Sequence, residues 1–271
     1  MKVSIRMAAH PGERPEKMTD NEKELAGKVA IVTGSARNIG RAIAEELARA
    51  GAALTINALK DAETAEAVAQ GIRDRGGQAI SQIADIADPD AVERLVGATG
   101  EAFGGVDILI NNAAQRSSVD FVDLTWEEWV RVRSVALDGA FLMSKACVPL
   151  MIARGGGSIV GIGGLSSVLG AAKGAHKSAT KDGMTGLIRG MATDLGRHNI
   201  SCNIAVVGVY DTDRASGSGA LIARGADTPI PMGRKGLPQD MADTIRFLVG
   251  PKARYITGQT IHVNGGAFLA H

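Results

Sequence analysis

The chain has few aromatic residues and very few tyrosines. Of its 271 residues, five are Phe, two are Trp and two are Tyr, so aromatics make up about 3%. This low content argues against a protein that binds single-stranded nucleic acid by stacking bases on aromatic rings. The tyrosines are Tyr210 and Tyr255, so any tyrosine-dependent motif can be checked by enumeration.

Cysteine, net charge and long apolar runs are also scarce. Cys147 and Cys202 are too few for a disulfide framework or a cysteine metal site, and no metal is predicted. Thirty Lys and Arg against 29 Asp and Glu give a net charge of +1, which predicts neither a nucleic-acid nor a membrane partner. No uninterrupted apolar run predicts a membrane-spanning helix, and the first 27 residues lack the apolar core of a secretory signal. The predicted location is therefore the cytoplasm.

Glycine is abundant, at 35 residues, and short apolar runs alternate with amphipathic helical patterns. Residues 1–24 are polar and are predicted to be a flexible N-terminal arm. Residues 25–271 then predict strands at 28–32, 53–57, 78–84, 106–111, 158–163, 201–206 and 260–263, and helices at 38–50, 61–75, 88–103, 126–153, 173–197 and 238–250. This alternation predicts an α/β protein: one domain with a Rossmann-type, doubly wound parallel sheet of about seven strands. The irregular segment 209–232 is a candidate lid.

The segment 33–40, TGSARNIG, joins the first predicted strand to the first predicted helix. Its spacing, Gly-x-x-x-Asn-x-Gly, is close to a dinucleotide fingerprint with Asn38 in place of the middle glycine. Asparagine tolerates the left-handed conformation, so the turn can survive. The segment therefore predicts an anion site at a helix N-terminus, with a simple strand–helix turn as the alternative.

Taken with other motifs, this turn resembles the short-chain dehydrogenase/reductase (SDR) family over residues 25–268. The further matching residues are Asp85-Ile86, Asn111-Asn112-Ala113-Ala114, Lys181, Asn203, Gly208, Thr212, GRKGLP at 233–238, YITGQ at 255–259 and Asn264-Gly265-Gly266. The resemblance implies a nicotinamide dinucleotide bound at the carboxyl ends of the strands. It also implies a homotetramer or homodimer in which segment 238–268 lies at a subunit interface.

The resemblance assigns cofactor contacts along the chain. Gly34, Ser35, Arg37, Asn38, Ile39 and Gly40 would form the phosphate turn, Asp85 and Ile86 would meet the adenine, and Asn112, Ala113, Ala114 and Lys181 would follow the ribose. Gly208 and Thr212 would lie near the nicotinamide. NADP(H) is favoured over NAD(H), because Ala58 stands where NAD-binding members carry an acid while Arg37 and Lys60 are placed to meet a 2′-phosphate. The alternative is that Arg37 and Lys60 are solvated surface charges.

The catalytic positions depart from the family's pattern of Asn, Ser, Tyr and a Lys four residues after the Tyr. Lys181 matches the lysine, but Lys177 stands at the Tyr position, Gly164 at the Ser position and Ala136 at the Asn position. Enumeration finds no substitute motif, since Tyr210 is followed four residues later by Arg214 and Tyr255 by Gln259. The family's usual mechanism is therefore not expected.

Three side chains are candidates to replace the missing phenol: Lys177, His176 and Tyr210. Lys173, Lys177 and Lys181 recur at helical spacing, and their mutual repulsion would make Lys177 a general base or a Schiff-base nucleophile. Alternatively, Lys177 is solvated or pairs with Asp138 or a phosphate-bearing substrate. His176 would serve as a neutral acid or base, or else be a helix-start histidine. Tyr210 would supply a phenol from the lid, or else pack within it.

Three functions remain open from the sequence. The first is an NADP(H)-binding oxidoreductase acting on a small carbonyl or alcohol through a rebuilt, non-standard active site. The second is a non-redox enzyme on the same fold, a lyase, isomerase or dehydratase using Lys or His chemistry. The third is a catalytically inactive nucleotide-binding scaffold or regulatory subunit that forms a hetero-oligomer with an active relative.

Overall fold

A seven-stranded parallel sheet forms the centre of the computed structural model, which describes residues 23–212 and 230–269. The strands are β1 Val29–Val32, β2 Ala53–Ala58, β3 Ala79–Ile83, β4 Ile108–Asn111, β5 Gly157–Gly164, β6 Ile200–Val207 and β7 Thr260–Val263. Their order is β3-β2-β1-β4-β5-β6-β7, and all neighbours pair in parallel. The predicted single-domain, Rossmann-type doubly wound fold is confirmed.

Helices cover both faces of the sheet and bury it. They are α1 Asn38–Arg49, α2 Ala62–Asp74, α3 Pro89–Phe103, α4 Trp126–Arg133, α5 Gly139–Ala153, α6 Ser166–Leu169, α7 Ala175–Leu195 and α8 Pro238–Val249. One core packs α1, α2 and α8 against the sheet through residues such as Ile43, Val68 and Ile245. The other packs α3, α5 and α7 through residues such as Leu95, Met143 and Ile188. Burial of both faces explains why the strands read as continuous apolar runs.

Two predicted helices differ in detail from the structure. The predicted helix 126–153 is continuous, but a π-helical turn at Ser134–Asp138 separates α4 from α5. The helix predicted from residue 173 begins at Ala175, and Lys173 precedes it with a left-handed φ of 54°. Lys173 instead forms an ion pair with Asp120, with Nζ 2.8 Å from Oδ2. The expected row of three lysines on one helix face is therefore wrong.

The stretch Trp126–Ala153 is long and apolar enough to cross a membrane, judged by length and composition alone. The prediction of no membrane-spanning helix rested on the lack of an uninterrupted apolar run in the sequence. In this fold Met143, Cys147 and Met151 are fully buried in the core beneath the sheet. A helix packed into a protein core meets the same criterion of length and composition.

The order of the strands places a crevice between β1 and β4. The chain runs outward from β1 through β2 to β3, and then returns to β4 on the opposite side of β1. Connections that diverge in this way leave an opening at the carboxyl ends of the two strands, where ligands bind in open α/β sheets. Residues 1–22 of the predicted arm and residues 213–229 of the predicted lid lie outside the described residues.

Candidate active site

A cavity of about 910 Å³ opens at the carboxyl edge of the sheet. Its walls come from the turn after β1, the loop 112–118 after β4, the end of β5, the start of α7 and the segment 207–212. This volume is near the upper end for small-molecule sites, so a large ligand and a second, small one fit together. Of the cofactor residues that the sequence predicts, all but Ser35 and Lys60 line this cavity.

The turn from β1 to α1 has the conformation that its residues predict. Gly34 has a φ of 62° and Asn38 a φ of 53°, both in the left-handed region. A Cβ at Gly40 would lie 2.4 Å from the carbonyl oxygen of Gly34, so the helix can approach the turn closely only with glycine there. The first turn of α1 carries no acidic side chain, and its residues Asn38, Ile39 and Gly40 line the cavity, so its amides suit an anion.

Asn57, on the buried strand β2, holds this turn from below and was missed by sequence reasoning. Its Oδ1 accepts from the amide of Gly34 at 3.2 Å, while its Nδ2 donates to the carbonyl of Ala84 at 3.2 Å. Ser35, buried below the turn, accepts from the Asn57 amide at 3.0 Å and donates to Val32. Asn57 therefore joins β2 to the turn after β1 and to the segment after β3. An amide side chain in a mostly apolar strand was the signal available in the sequence.

Asn112 fixes the other side of the turn. Its Nδ2 donates to the carbonyl oxygens of Thr33 at 2.9 Å and Gly34 at 3.0 Å. The hydroxyl of Thr33 accepts in return from the amides of Asn112 and Ala113. Polar groups that would otherwise be buried without partners thus hold the ends of β1 and β4 together at the crevice.

The mouth of the cavity carries Arg37, whose guanidinium pairs with Asp61. Asp61 also caps α2 by accepting from the amide of Thr64 at 3.0 Å, and these bonds to Thr64, together with Arg37, lower its pKa. Ala58, the last residue of β2, is buried and brings no carboxylate to this edge. Lys60 is exposed and lies outside the cavity lining.

Asp85 and Ile86 form the wall beside the end of β3. The carboxylate of Asp85 accepts from the amide of Ala87 at 2.9 Å and holds the turn into α3. The Ile86 side chain is buried against Gly139 at the start of α5. The two residues therefore offer one polar and one apolar surface to a ligand in this part of the cavity.

Lys177 and Lys181, one turn apart on α7, both line the cavity. Lys181 Nζ donates to the carbonyl of Ile162 on β5 at 2.5 Å, and burial lowers its pKa to about 8. Burial also lowers the pKa of Lys177 below its ordinary 10.5. Within residues 23–212 and 230–269, the Lys177 ammonium has neither an ion pair nor a hydrogen bond. Lys177 is therefore a cation left available to a ligand.

Small side chains surround these lysines. Gly164 at the end of β5 and Ala136 in the π-helical turn both line the cavity and carry no polar group. Ser166 lines it too, and its Oγ lies 3.8 Å from where a Cβ on Gly164 would stand. In the sequence, the Ser position of the family pattern falls on Gly164 and not on Ser166. The bend after β5 brings its hydroxyl beside position 164.

His176 lies apart from this group. The residue is 1% exposed and does not line the cavity, and neither ring nitrogen has a hydrogen-bond partner among the residues that the structure describes. Burial, and then the charge of Lys177, lower its pKa. Consecutive residues of a helix point about 100° apart, so a Lys177 that faces the cavity turns His176 toward neighbouring protein.

Tyr210, Thr212 and Gly208 line the far wall. The Tyr210 hydroxyl donates to the carbonyl of Val263 on β7 at 2.9 Å, and burial raises its pKa to about 12. Its ring packs on Gly236, where a Cβ would lie 2.5 Å from the ring. This phenol is anchored to backbone and is a poor acid, so its geometry favours the packing role over proton transfer.

The cavity therefore fits a dinucleotide. Gly34 and Gly40 keep the turn free of side chains where an anion would approach, Asn112 shapes the floor, and Lys181 supplies a buried cation. A solved structure has the same fold. A short-chain dehydrogenase from Burkholderia cenocepacia in complex with NADP is 37% identical, with a TM-score of 0.82 over 90% of this chain and 99% of that one. A family model described as enoyl-(acyl carrier protein) reductase matches residues 34–267. The chain belongs to the short-chain dehydrogenase/reductase family.

Other SDR proteins are similar over nearly their whole length. L-rhamnose 1-dehydrogenase (NAD(P)(+)) of Azotobacter vinelandii is 38% identical over 90% of this chain and 98% of its own. The 3-oxoacyl-[acyl-carrier-protein] reductase FabG of Vibrio cholerae is 35% identical over 90% and 99%. A dehydrogenase/reductase from Sinorhizobium meliloti is 35% identical, with a TM-score of 0.85 over 92% of this chain and 98% of that one. All three are named for oxidation or reduction.

Proposed function

We propose that this SDR protein is an NADP(H)-dependent oxidoreductase of a small carbonyl or alcohol, in which Lys177 moves the proton. The observation that carries the proposal is the pair of cavity lysines on α7, one bonded to Ile162 and the other without a partner in the described residues. Lys177 stands where the family pattern has its tyrosine, and Gly164 and Ala136 stand where it has serine and asparagine. The site is therefore rebuilt rather than conventional.

In the proposed reaction, Lys177, Ser166 and Lys181 each have a separate role. A bound NADPH would supply the hydride to the carbonyl carbon. As the electron pair of the C=O bond moves to oxygen, Lys177 Nζ would give that oxygen its proton and become a neutral amine, which solvent then reprotonates. Ser166 Oγ would donate a hydrogen bond to the same oxygen, and Lys181 would bind the ribose. In the oxidation direction neutral Lys177 would accept the proton.

The lowered pKa of Lys177 suits this role. The ammonium of an ordinary lysine is a weak acid near pH 7. Burial lowers the pKa of Lys177 and so makes its ammonium a stronger acid. General acids and bases work best when their pKa approaches the operating pH. The charge also remains useful when no proton moves, because an ammonium beside a developing oxyanion stabilises it.

The proposal is tested by titrating the protein with NADPH and following NADPH consumption with a panel of ketones, aldehydes and oxo acids. We expect saturable nucleotide binding and turnover with at least one class of carbonyl. Nucleotide binding with no turnover on any carbonyl would favour the third function, a binding scaffold. Co-purification as a homo-oligomer with robust turnover would exclude that scaffold role.

For the cofactor we propose NADP(H) rather than NAD(H), supported by Arg37 at the cavity mouth and by the absence of a carboxylate at Ala58. The complex of a 37% identical SDR protein with NADP is consistent with it. Arg37→Ala should raise the Kd of NADPH about tenfold or more and leave that of NADH nearly unchanged. Arg41→Ala, which removes an exposed arginine paired with Glu45 on α1, is the matched control. Tighter binding of NADH than NADPH by the unmodified protein would contradict the assignment.

Lysine chemistry without redox is the second candidate function, because an amine with a lowered pKa also attacks carbonyls. Borohydride reduction in the presence of a carbonyl compound would trap an imine on Lys177, and mass spectrometry would locate the adduct. Absence of an adduct at Lys177 with every carbonyl tested removes this function. Hydride transfer from NADPH without an adduct supports the oxidoreductase.

We further propose a cytoplasmic homotetramer or homodimer. Segment 238–268 is expected at a subunit interface, and it exposes Phe247, which is 48% accessible, and the fully accessible ring of Tyr255. Analytical ultracentrifugation of the protein should give two or four chains per particle. A monomer at micromolar concentration would contradict this expectation.

A further inference from the structure

The described lining of the cavity carries a strong excess of positive charge. Arg37, Arg116, Lys177 and Lys181 all face it, and Asp85 is the one carboxylate among the described lining residues. Asp85 already accepts from the Ala87 amide at the end of the cavity beside β3. A cavity with low-dielectric walls and one sign of charge concentrates ligands of the opposite charge.

Two of the four cations have partners that the protein supplies. Arg37 pairs with Asp61 at the glycine turn, and Lys181 donates to Ile162 at the floor. Both positions belong to the nucleotide part of the cavity under the proposed function. The phosphates and ribose of a bound NADPH would contact these two cations. The charges of Arg116 and Lys177 would then have no partner in the cofactor.

Arg116 and Lys177 differ from the basic residues around them. Arg131 pairs with Glu128, Arg133 with Asp138 and Lys173 with Asp120, and these ion pairs lie outside the cavity lining. Arg116 and Lys177, which face the cavity, have no acidic partner within residues 23–212 and 230–269. The neighbouring carboxylates thus pair with basic side chains outside the cavity. The charges of Arg116 and Lys177 are not balanced by an acid of the described residues.

The two uncompensated cations belong to segments that are joined to each other. The amide of Val119 donates to the carbonyl of Lys173 at 3.1 Å, which links the loop 112–120 to the segment before α7. The carbonyl of Arg116 is in turn held by the guanidinium of Arg131 at 3.4 Å. Arg116 and Lys177 therefore line the cavity from two segments that this bond joins. Apolar side chains, among them Leu165 and Leu169, line the cavity as well.

We propose that the substrate is a small oxo acid, or in the reverse direction a hydroxy acid, with a carboxylate held by Arg116 and a carbonyl oxygen at Lys177. The inference rests on the proposed function, since it names the substrate class of that site. Arginine binds carboxylates through two parallel N–H bonds, which also fixes the direction of the substrate. The carboxylate then brings the carbonyl to Lys177, and the apolar wall accepts a short alkyl chain.

The test compares acids with neutral analogues of the same shape. The substrates are 2-oxopentanoate, 3-oxohexanoate and their methyl esters, and the variants are Arg116→Gln and Arg116→Lys. Arg94→Gln, which changes an exposed arginine on α3 outside the cavity lining, is the matched control. We expect the unmodified protein to prefer the acids. Arg116→Gln should raise their KM by about tenfold to a hundredfold, the loss expected for a charge-assisted bond. Arg116→Lys should recover part of this loss, and the KM of the esters and the Kd of NADPH should not change.

A binding experiment separates this inference from the proposed function. Calorimetry with pentanoate and pentanamide on the NADP-loaded protein requires no turnover, and we expect the acid alone to bind in an Arg116-dependent manner. Equal binding of the amide, or equal turnover of the esters and the acids, overturns the oxo-acid inference while the oxidoreductase stands. Arg116-dependent pentanoate binding without reduction of any carbonyl overturns the oxidoreductase and leaves an anion-binding cavity.

Discussion

Replacing Lys177 with methionine tests the proton step directly. Methionine keeps the unbranched shape and the helix propensity of lysine, so α7 should fold and the Tm should shift by no more than about 2 °C. The change removes the cavity ammonium that has no partner in the described residues, and it leaves Lys181 on Ile162. The hydroxyl of Ser166, which lines the cavity beside position 164, is an ordinary alcohol and a far weaker acid.

The expected loss follows from the size of general acid catalysis. Such a group contributes about 10²–10⁴ in rate, which corresponds to about 2.7–5.5 kcal/mol of transition-state stabilisation. We therefore expect kcat for carbonyl reduction to fall by at least about a hundredfold, with the Kd of NADPH unchanged. Lys173→Met is the matched control, because that lysine is exposed and paired with Asp120 outside the cavity lining. A Lys177→Met protein with unmodified kcat would refute the reasoning.

The pH profile gives an independent check with a definite sign. Reduction needs protonated Lys177, so kcat should fall as the pH rises through its pKa, which burial places below 10.5. Oxidation needs the neutral amine, so its kcat should rise through the same pKa. Lys177→Cys alkylated with 2-bromoethylamine restores an amine of lower basicity, since sulfur withdraws electrons, and should move both limbs to lower pH. Burial raises the pKa of the thiol of Cys202 to about 12 and that of Cys147 further, so neither should react. If the alkylated variant leaves both kcat–pH profiles at the same pH, the group that titrates is not Lys177.

Three further changes follow from the geometry. Tyr210→Phe should leave kcat within about twofold and lower the free energy of unfolding by about 1–2 kcal/mol, because it removes only the hydrogen bond to Val263. A large loss of kcat with unchanged stability would instead show that the Tyr210 hydroxyl is catalytic. Gly40→Ala should raise the Kd of NADPH by about tenfold or more in a fluorescence titration, because the new Cβ would lie 2.4 Å from the carbonyl oxygen of Gly34. An unchanged Kd would show that the turn can open to accept the side chain. Asp107→Asn should lower the free energy of unfolding, measured in urea, by about 2–3 kcal/mol, because the buried Asp107 carboxylate accepts from Lys28, Arg154 and the amide of Val29. An unchanged free energy of unfolding would mean that water replaces these partners.

The strands and the phosphate turn were predictable because their causes are local. Four buried residues at β1, followed by Gly34 and Asn38, specify a strand and a left-handed turn without reference to the rest of the chain. The same local reasoning placed Ala58 at the end of β2 and Lys181 on α7. The alternation of strands and helices predicted the doubly wound parallel sheet.

What the sequence could not supply depends on distant contacts. Lys173 lies outside α7 and pairs with Asp120, 53 positions earlier in the chain, and Asn57 acts through turns that meet only in the folded sheet. Spacing alone placed His176 beside Lys177, but the direction of each side chain is set by the packing of α7. Ser166 reaches position 164 because the chain bends after β5, and residue counting does not show that bend.

The most direct test of the central claim is deuterium transfer from NADPH labelled at C4 of the nicotinamide to a carbonyl substrate, followed by mass spectrometry of the product. The account predicts one deuterium on the alcohol carbon with the unmodified protein, and at least about a hundredfold slower transfer with Lys177→Met. Bound, labelled NADPH that transfers no deuterium to any carbonyl compound would contradict it.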